Sequence, residues 1–410
     1  MNKQNNEQDN IIYSSKGSFT GDVEYALPVE EKDRGFGKSG TKRRGSAKDD
    51  LNDYIYMTPV KNSSSHKIEK KKKKLWLKIL IGILIGLIVL ILSGIITLFV
   101  LINVGKGAML DANKTAIINV PTYVQQVEQD GKTIVYNGKT YKYNEAITSI
   151  LFMGIDRDQF ADDDENLGTN GDADALMLLT YDTSNGNTDL ISISRDTMAD
   201  IDVYSKDGTY IGIEKQQICL AYAYGDGKET SCTNQVNAVS RLFYNIPISS
   251  YLSMDLDAVS VLNDAVGGVT VTSPQTFKEF TKGETVTLYG ESAETFVRNR
   301  DTSVLDSNNS RMERQRVYIE SFFKTLAAGT KENLMLPVDL FNAASPYTVT
   351  NIDIPKVTYL ASNILEKDFS EIEMQNVPGE VVQGEVYAEY HLDQEKFFEM
   401  FLNVYYTPVD

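Results

Sequence analysis

The feature that most constrains this chain is an apolar stretch from Ile79 to Ile102, which carries no charged residue over 24 positions. As a helix it would be about 36 Å long, enough to cross the roughly 30 Å hydrocarbon core of a bilayer. A buried helix of a soluble protein rarely runs this long without a charge. Five lysines, Lys70 to Lys74, come directly before it. Because lysines favour the cytoplasmic side, the sequence predicts a single-pass cell-membrane protein with its N-terminus inside and its C-terminal body outside.

The distribution of charge divides the chain at the same place. Residues 1–74 carry 16 Lys/Arg and 11 Asp/Glu, a net charge of +5. Because the whole chain has a net charge of -17, residues 75–410 have a net charge of -22. The segment 1–74 is polar and lacks a sustained apolar period, which predicts a disordered cytoplasmic tail. An acidic body disfavours non-specific binding to nucleic acid, so no nucleic-acid partner is expected.

Beyond the tail we predict a transmembrane helix at 75–104 and a stalk with a β-hairpin at 105–143, whose turn is Asn137-Gly138. Residues 144–330 alternate apolar strands with helical patterns, and 331–410 form a C-terminal extension without a readable motif. Such alternation is typical of an α/β fold, here a three-layer α/β/α body with a central mixed sheet. Within the body, strands are predicted at 147–154, 175–182, 188–194, 250–255 and 269–272, and helices at 232–245 and 256–266.

Arginines are concentrated in one segment of the body. Five of the eight arginines that follow the apolar stretch lie between positions 298 and 316: Arg298, Arg300, Arg311, Arg314 and Arg316. The planar guanidinium binds phosphate through two parallel hydrogen bonds, which lysine cannot do. The first two arginines close a predicted helix, and Arg311, Arg314 and Gln315 share a face of the next one. Two interpretations remain open, a phosphate site or a solvated helix face paired with nearby acids.

Charged residues also lie at the predicted strand ends, where open α/β sheets place their ligand sites. Asp156 follows the first body strand, Asp174 precedes the second, and Arg195-Asp196 follow the third. Carboxylates together with phosphate oxygens are the ligands that Mg²⁺ prefers. The only histidines are His66 and His391, which excludes a histidine-rich zinc site. A Walker-type phosphate loop is also absent from the sequence.

Two cysteines, Cys219 and Cys232, lie in the predicted extracellular body. In an oxidising compartment they could form a disulfide that closes a short loop. Two free thiols are the alternative.

Several motifs together resemble the LytR-CpsA-Psr family, in that family's order and over about 147–327: LFMGIDR, DADALMLLTYD, LISISRDT, AYAYG, DAVGGVTV, and FVRNR followed by RMERQR. The resemblance implies an α/β/α domain anchored outside the membrane of Gram-positive-type bacteria, with a role in cell wall biogenesis. It implies Mg²⁺-dependent transfer of a glycopolymer, such as teichoic acid or capsular polysaccharide, from a polyprenyl-pyrophosphate lipid to peptidoglycan.

The resemblance also assigns roles to individual residues. It implies that Asp156 and Asp174 hold the metal, and that these two, together with Arg195, Arg298 and Arg300, are catalytic. The implied pyrophosphate-binding residues are Arg195, Arg298, Arg300, Arg311 and Gln315, with Arg314 in the same helical motif. This chain departs from the family pattern at Asp172, where an arginine is common, and at Gln217-Ile218-Cys219, where Lys-Ile-Asn is common.

The reaction that fits these residues is phosphoryl transfer, catalysed by positioning and charge neutralisation. A sugar hydroxyl of peptidoglycan would attack the phosphorus nearest the glycan, and polyprenyl phosphate would leave. Asp174 and Asp196 are candidates for the general base, and the helices within 232–266 are candidates to line a channel for the lipid tail. The alternative function is a membrane-anchored regulator or receptor that binds lipid-linked glycan without turnover.

Overall fold

The protein is described from a computed structural model that covers residues 65–155, 171–255, 257–299, 307–366, 372–384 and 387–409. The helices are α1 Ser65–Lys114, α2 Leu220–Ala223, α3 Glu229–Leu242, α4 Asp257–Ala265, α5 Glu291–Arg298, α6 Ser307–Glu332, α7 Leu336–Ala344, α8 Ile354–Glu366 and α9 Gln394–Tyr405. The strands are β1 Gln125–Gln126, β2 Thr133–Tyr136, β3 Lys139–Tyr143, β4 Ile147–Ile155, β5 Ala173–Asp182, β6 Thr188–Ile193, β7 Met198–Tyr204, β8 Tyr210–Gln217, β9 Ser250–Met254, β10 Val269–Thr272, β11 Thr285–Leu288, β12 Thr348–Thr350, β13 Ile372–Asn376, β14 Gly379–Gln383, β15 Ala388–Leu392 and β16 Tyr406–Val409.

Helix α1 is 50 residues long and contains the predicted membrane span. Its apolar side chains between positions 75 and 100 are exposed, as a segment in contact with lipid requires. It fits a single-pass membrane anchor. The helix then continues without a break into the predicted stalk, where Met109, Leu110 and Asn113 are buried against the body. The Asn113 side-chain amide donates a 2.6 Å hydrogen bond to the carbonyl of Ile147, so the end of α1 is fixed to the first strand of the body.

The central sheet has six strands in the order β12-β9-β4-β5-β6-β13. β4 pairs antiparallel with β5 and parallel with β9, and β13 pairs parallel with β6, so the sheet is mixed. Alternate residues of β4 face two different cores. Leu151 and Met153 pack with α2, α3 and α9, whereas Ile150 packs with the end of α1 and with α8. The predicted α/β fold with a mixed sheet and helices on both faces is therefore confirmed.

The segment 331–410 shares its core with the rest of the body. β13 lies at an edge of the central sheet, and α9 places Phe397, Phe398 and Phe401 in the largest buried cluster. β16 pairs with β3, the second strand of the predicted hairpin, whose turn residues Asn137 and Gly138 have positive φ as expected. The two ends of the body are thus joined in one small sheet, β1-β2-β3-β16.

Candidate active site

Because β5 and β6 are antiparallel and Leu176 pairs with Ile193, the beginning of β5 lies beside the end of β6. The site lies at these two strand ends. Arg195, two residues beyond that pair, is surrounded by carboxylates. It donates to Asp174, and to Asp172 over 3.3 Å, and its Nε lies 3.7 Å from an Asp196 oxygen. Its side chain is 30% exposed. Three carboxylates around one guanidinium leave a formal charge of -2 in this group.

The first turns of α6 form the opposite wall of a small polar pocket of about 20 Å³. Arg311 and Gln315 line this pocket together with Asp174, Ser194 and Arg195. Gln315 also donates a 3.1 Å hydrogen bond to the carbonyl of Val297 at the end of α5, which fixes its side chain. The fold therefore brings together four of the residues singled out in the sequence, Asp174, Arg195, Arg311 and Gln315.

Arg314 lies away from the pocket and is only 1% exposed. Its guanidinium donates to the carbonyls of Phe296 at 2.8 Å, Ser310 at 3.4 Å and Asn299, and lies 4.0 Å over the ring of Phe277. Two of these carbonyls belong to the C-terminal end of α5, where a helix leaves carbonyls without intrahelical partners. Burial lowers the pKa of Arg314 to about 10. Its described contacts are thus to backbone carbonyls and to the Phe277 ring, and its role in pyrophosphate binding stays a prediction.

The remaining residues of the arginine cluster differ among themselves. Arg298 forms a 3.0 Å ion pair with Glu294, one turn earlier on α5. Arg316 pairs with Glu313 at 2.6 Å on the outer face of α6, so the solvated-face interpretation describes Arg316. Two predicted site residues, Asp156 and Arg300, lie outside the described residues.

Two apolar cavities follow one another beside the polar pocket. The first cavity, of about 160 Å³, shares Ala175, Met177 and Gln315 with the pocket lining. The second cavity, of about 220 Å³, shares its lining with the first at Phe152, Met254, Leu262, Phe322 and Phe323. We call these two cavities together the apolar channel.

The walls of the apolar channel differ in part from the prediction. Of the segment 232–266, α4 contributes Val259 and Leu262 to the lining. Helix α3 packs on the other face of the sheet, and among the described residues it contributes nothing to the lining. The main helical wall is α6, through Tyr318, Phe322 and Phe323. Tyr318 follows Gln315 by three positions, and Phe322 and Phe323 lie one turn further along the same helix face. This helical spacing is the pattern in the sequence that could have predicted the wall.

Both cysteines are free thiols in the structure, so the predicted disulfide is not present. Cys232 lies on α3 within the largest buried cluster. Cys219 is buried beside Arg195, and its backbone N–H donates to the Arg195 carbonyl over 3.3 Å. Burial raises the pKa of the Cys219 thiol to about 11, so it remains protonated at neutral pH. Cys219 therefore lies next to the candidate site, whereas Cys232 lies in the hydrophobic core.

A family model described as the LytR_cpsA_psr family matches residues 114–404. The chain belongs to this family. The polyisoprenyl-teichoic acid–peptidoglycan teichoic acid transferase TagU of Enterococcus faecalis is 29% identical to it over 278 residues, 66% of this chain and 81% of that protein. The transferase of the same name from Bacillus subtilis is 27% identical over 293 residues, 69% of this chain and 82% of that protein.

Crystal structures show the same fold. A protein from Streptococcus agalactiae matches with a TM-score of 0.51 and 23% identity, covering 63% of this chain and 86% of the other. A transcriptional regulator from Enterococcus faecalis matches with a TM-score of 0.50 and 21% identity, covering 63% of this chain and 87% of that protein. At such identities the similarity establishes the fold alone.

The positions where this LytR_cpsA_psr chain departs from the family pattern lie around Arg195. Asp172 accepts a hydrogen bond from Arg195, as described above. The Gln217 side-chain amide donates to Asp196 Oδ1 at 3.1 Å and to the carbonyl of Ala388 at 2.8 Å. The backbone N–H of Tyr390 donates to the carbonyl of Asp196 at 2.8 Å. The β14–β15 hairpin of the C-terminal segment therefore borders the site, a contact that the sequence did not reveal.

Proposed function

We propose that this protein is a membrane-anchored transferase that moves a glycopolymer of the teichoic acid or capsular polysaccharide type from a polyprenyl-pyrophosphate lipid to peptidoglycan. The observation that carries the proposal is that the polar pocket and the apolar channel are neighbours and share the lining residues Ala175, Met177 and Gln315. A ligand that fits both has a charged head and a long apolar tail. The names of the transferase relatives support the same chemistry.

In the proposed complex, Arg195 and Arg311 bind the pyrophosphate together with Arg298 and Arg300. Arg195 exchanges its carboxylate partners for phosphate oxygens, and its partial exposure makes that exchange accessible. Charge-assisted hydrogen bonds to the phosphate oxygens grow stronger as charge develops during transfer. Gln315, fixed by Val297, marks the boundary between the head group and the tail.

The charge balance of the pocket supports a cation. The carboxylates of Asp172, Asp174 and Asp196 surround the single guanidinium of Arg195 and leave a formal charge of -2 there. A pyrophosphate would add further negative charge to an acidic site, and a divalent cation would offset it. The carboxylates are hard oxygen ligands of the type that suits Mg²⁺. We propose that Asp174 and Asp156 hold this ion, which would neutralise phosphate oxygens when bound.

The proposed step is a substitution at the phosphorus nearest the glycan. A sugar hydroxyl oxygen of peptidoglycan forms the new P–O bond, the bond to polyprenyl phosphate breaks, and the hydroxyl proton passes to a carboxylate. Asp174 and Asp196 are the candidates for that base. The Gln217 amide and the β14–β15 hairpin fix the position of Asp196 at the edge of the pocket.

The proposed orientation places the body outside the cell, because Lys70 to Lys74 precede the span. Treating intact cells with a protease should remove the 105–410 body and spare an epitope placed on the tail. A body that resists cleavage until the membrane is permeabilised would contradict this orientation.

The test of function uses the full-length protein in lipid nanodiscs with a glycan-linked polyprenyl pyrophosphate and peptidoglycan fragments. We expect glycan attached to peptidoglycan, loss of product with a chelator, and recovery with Mg²⁺. Arg195→Ala should reduce the transfer rate by roughly ten- to a hundredfold, the loss of about 1.5–3 kcal/mol of charge-assisted contact. Lipid binding by wild type without product under every condition would favour the receptor function instead.

A further inference from the structure

Helix α8 forms a wall between the membrane helix and the apolar channel. One face of α8 meets α1, where a Cβ added to Gly105 would lie 2.1 Å from the Pro355 carbonyl oxygen and 2.8 Å from the Tyr359 Cβ. Leu360 and Ala361, on another face, line the second cavity of the channel. Contact this close is possible only because residue 105 has no side chain.

The contact between Gly105 of α1 and helix α8 lies close to the end of the predicted membrane span. Ile102, the last residue of the apolar stretch, packs against the core that contains Tyr359. Gly105 is less than one turn further along, and Lys106 is the first charged residue after the span. Since each residue adds about 1.5 Å to a helix, Gly105 lies about 5 Å beyond Ile102. With the apolar stretch as the proposed membrane span, the start of α8 would lie at the surface of the bilayer.

The lining of the apolar channel extends from this level to the neighbourhood of the polar pocket. Ile352 and Val357, on either side of Pro355 in sequence, line the second cavity. Along α6, the lining runs from Gln315 at the polar pocket to Leu326 in the second cavity, which is about 16 Å of helix. One end of the channel is therefore beside the pyrophosphate-binding residues and the other is beside α1 at the bilayer surface.

We propose that the lipid tail enters the apolar channel directly from the bilayer at its α8 end, so that the tail remains continuous with the membrane while the head group occupies the polar pocket. This inference rests on the proposed function and adds the route of the lipid. Exposing apolar chain to water costs about 0.8 kcal/mol per CH₂. A polyprenyl chain of many such groups would cross water only slowly, whereas this route keeps it in apolar surroundings.

The first test separates the membrane route from binding at the pocket. Full-length protein in nanodiscs binds radiolabelled geranyl pyrophosphate, a short soluble probe, and undecaprenyl pyrophosphate in the nanodisc displaces it. Gly105→Ala pushes α8 away from α1. It should raise the mole fraction of undecaprenyl pyrophosphate needed for half-displacement about tenfold or more, ~1.4 kcal/mol, and leave affinity for the short probe unchanged. Gly94→Ala is the matched control, since a Cβ there meets no atom within 4 Å.

A second variant addresses the case in which Gly105→Ala does not fold. Ala361→Trp adds bulk inside the α8 end of the channel, whereas Leu365→Trp adds it at a side chain that is 43% exposed on the same helix. We expect the first to impair displacement by undecaprenyl pyrophosphate and the second to behave as wild type. Wild-type displacement in both Gly105→Ala and Ala361→Trp would overturn the membrane route. Failure of wild type to bind geranyl pyrophosphate would instead overturn the proposed function.

Discussion

Arg195 and Arg314 differ in their hydrogen-bond partners, in their exposure and in the space beside them. Around Arg195 the partners are carboxylates of partly exposed side chains, the guanidinium is 30% exposed, and a cavity adjoins it. Around Arg314 the partners are backbone carbonyls, the side chain is 1% exposed, and the ring of Phe277 covers it. An arginine with side-chain partners and an adjacent cavity can exchange them for a ligand, whereas one fixed to carbonyls stabilises the fold.

The comparison predicts the largest loss of stability for Arg314→Ala. The change leaves the carbonyls of Phe296 and Asn299 without their donors and creates a buried void, at a cost of about 3 kcal/mol in the free energy of unfolding. Arg314→Lys should recover only part of this, because one ammonium cannot reach carbonyls in several directions. Urea unfolding of the full-length protein in detergent measures both. Wild-type stability for Arg314→Ala would show that the described contacts contribute little.

The second prediction concerns Arg300, which lies outside the described residues, and places it with Arg195 as a ligand-binding arginine. If it binds pyrophosphate, Arg300→Ala should weaken binding of a polyprenyl pyrophosphate roughly ten- to a hundredfold, about 1.5–3 kcal/mol, with stability unchanged. Arg300→Lys should recover only part, because a point charge cannot replace the guanidinium. Ligand affinities with and without Mg²⁺ decide this. Equal affinities in all three proteins would remove Arg300 from the site.

The smallest effect is expected for Arg316→Ala. Arg316 pairs with Glu313 on the outer face of α6, and an exposed ion pair contributes less than about 1 kcal/mol. We expect both the free energy of unfolding and the lipid affinity to stay near wild type, which makes this variant the control for the other two. A clear drop in affinity for Arg316→Ala would mean that the ligand extends over the outer face of α6.

The sequence predicted the four inner strands of the central sheet, because runs such as β4 and β5 are buried and their apolar composition is visible locally. It did not predict the edge strands β12 and β13. It also predicted that Arg311 and Gln315 share a face. It did not separate Arg314 from them, although consecutive residues of a helix point about 100° apart. Both Arg314 and Gln315 donate to carbonyls at the end of α5, but only Gln315 also lines the polar pocket, whereas Arg314 is buried under Phe277. No local pattern encodes that difference.

Other parts of the site depend on contacts between distant segments. The apolar channel requires β4, α6 and α8, which lie more than 150 residues apart from first to last. The edge of the polar pocket at Asp196 depends on Tyr390, far along the chain. Apolar residues in such segments are equally consistent with a filled core. Only their packing shows that neighbouring cavities remain between them.

The unbroken passage of α1 into the core of the body has a kinetic consequence. Asn113 and Met109 hold the helix to β4, so with α1 as the proposed membrane anchor the body would stay close to the bilayer and would not tumble freely. Enzyme and lipid then meet by diffusion in a plane, and the turnover rate depends on the number of lipid carriers per unit area of membrane. A version of the body released into solution would lose this confinement even with every pocket residue in place, in the way that an untethered partner loses effective concentration.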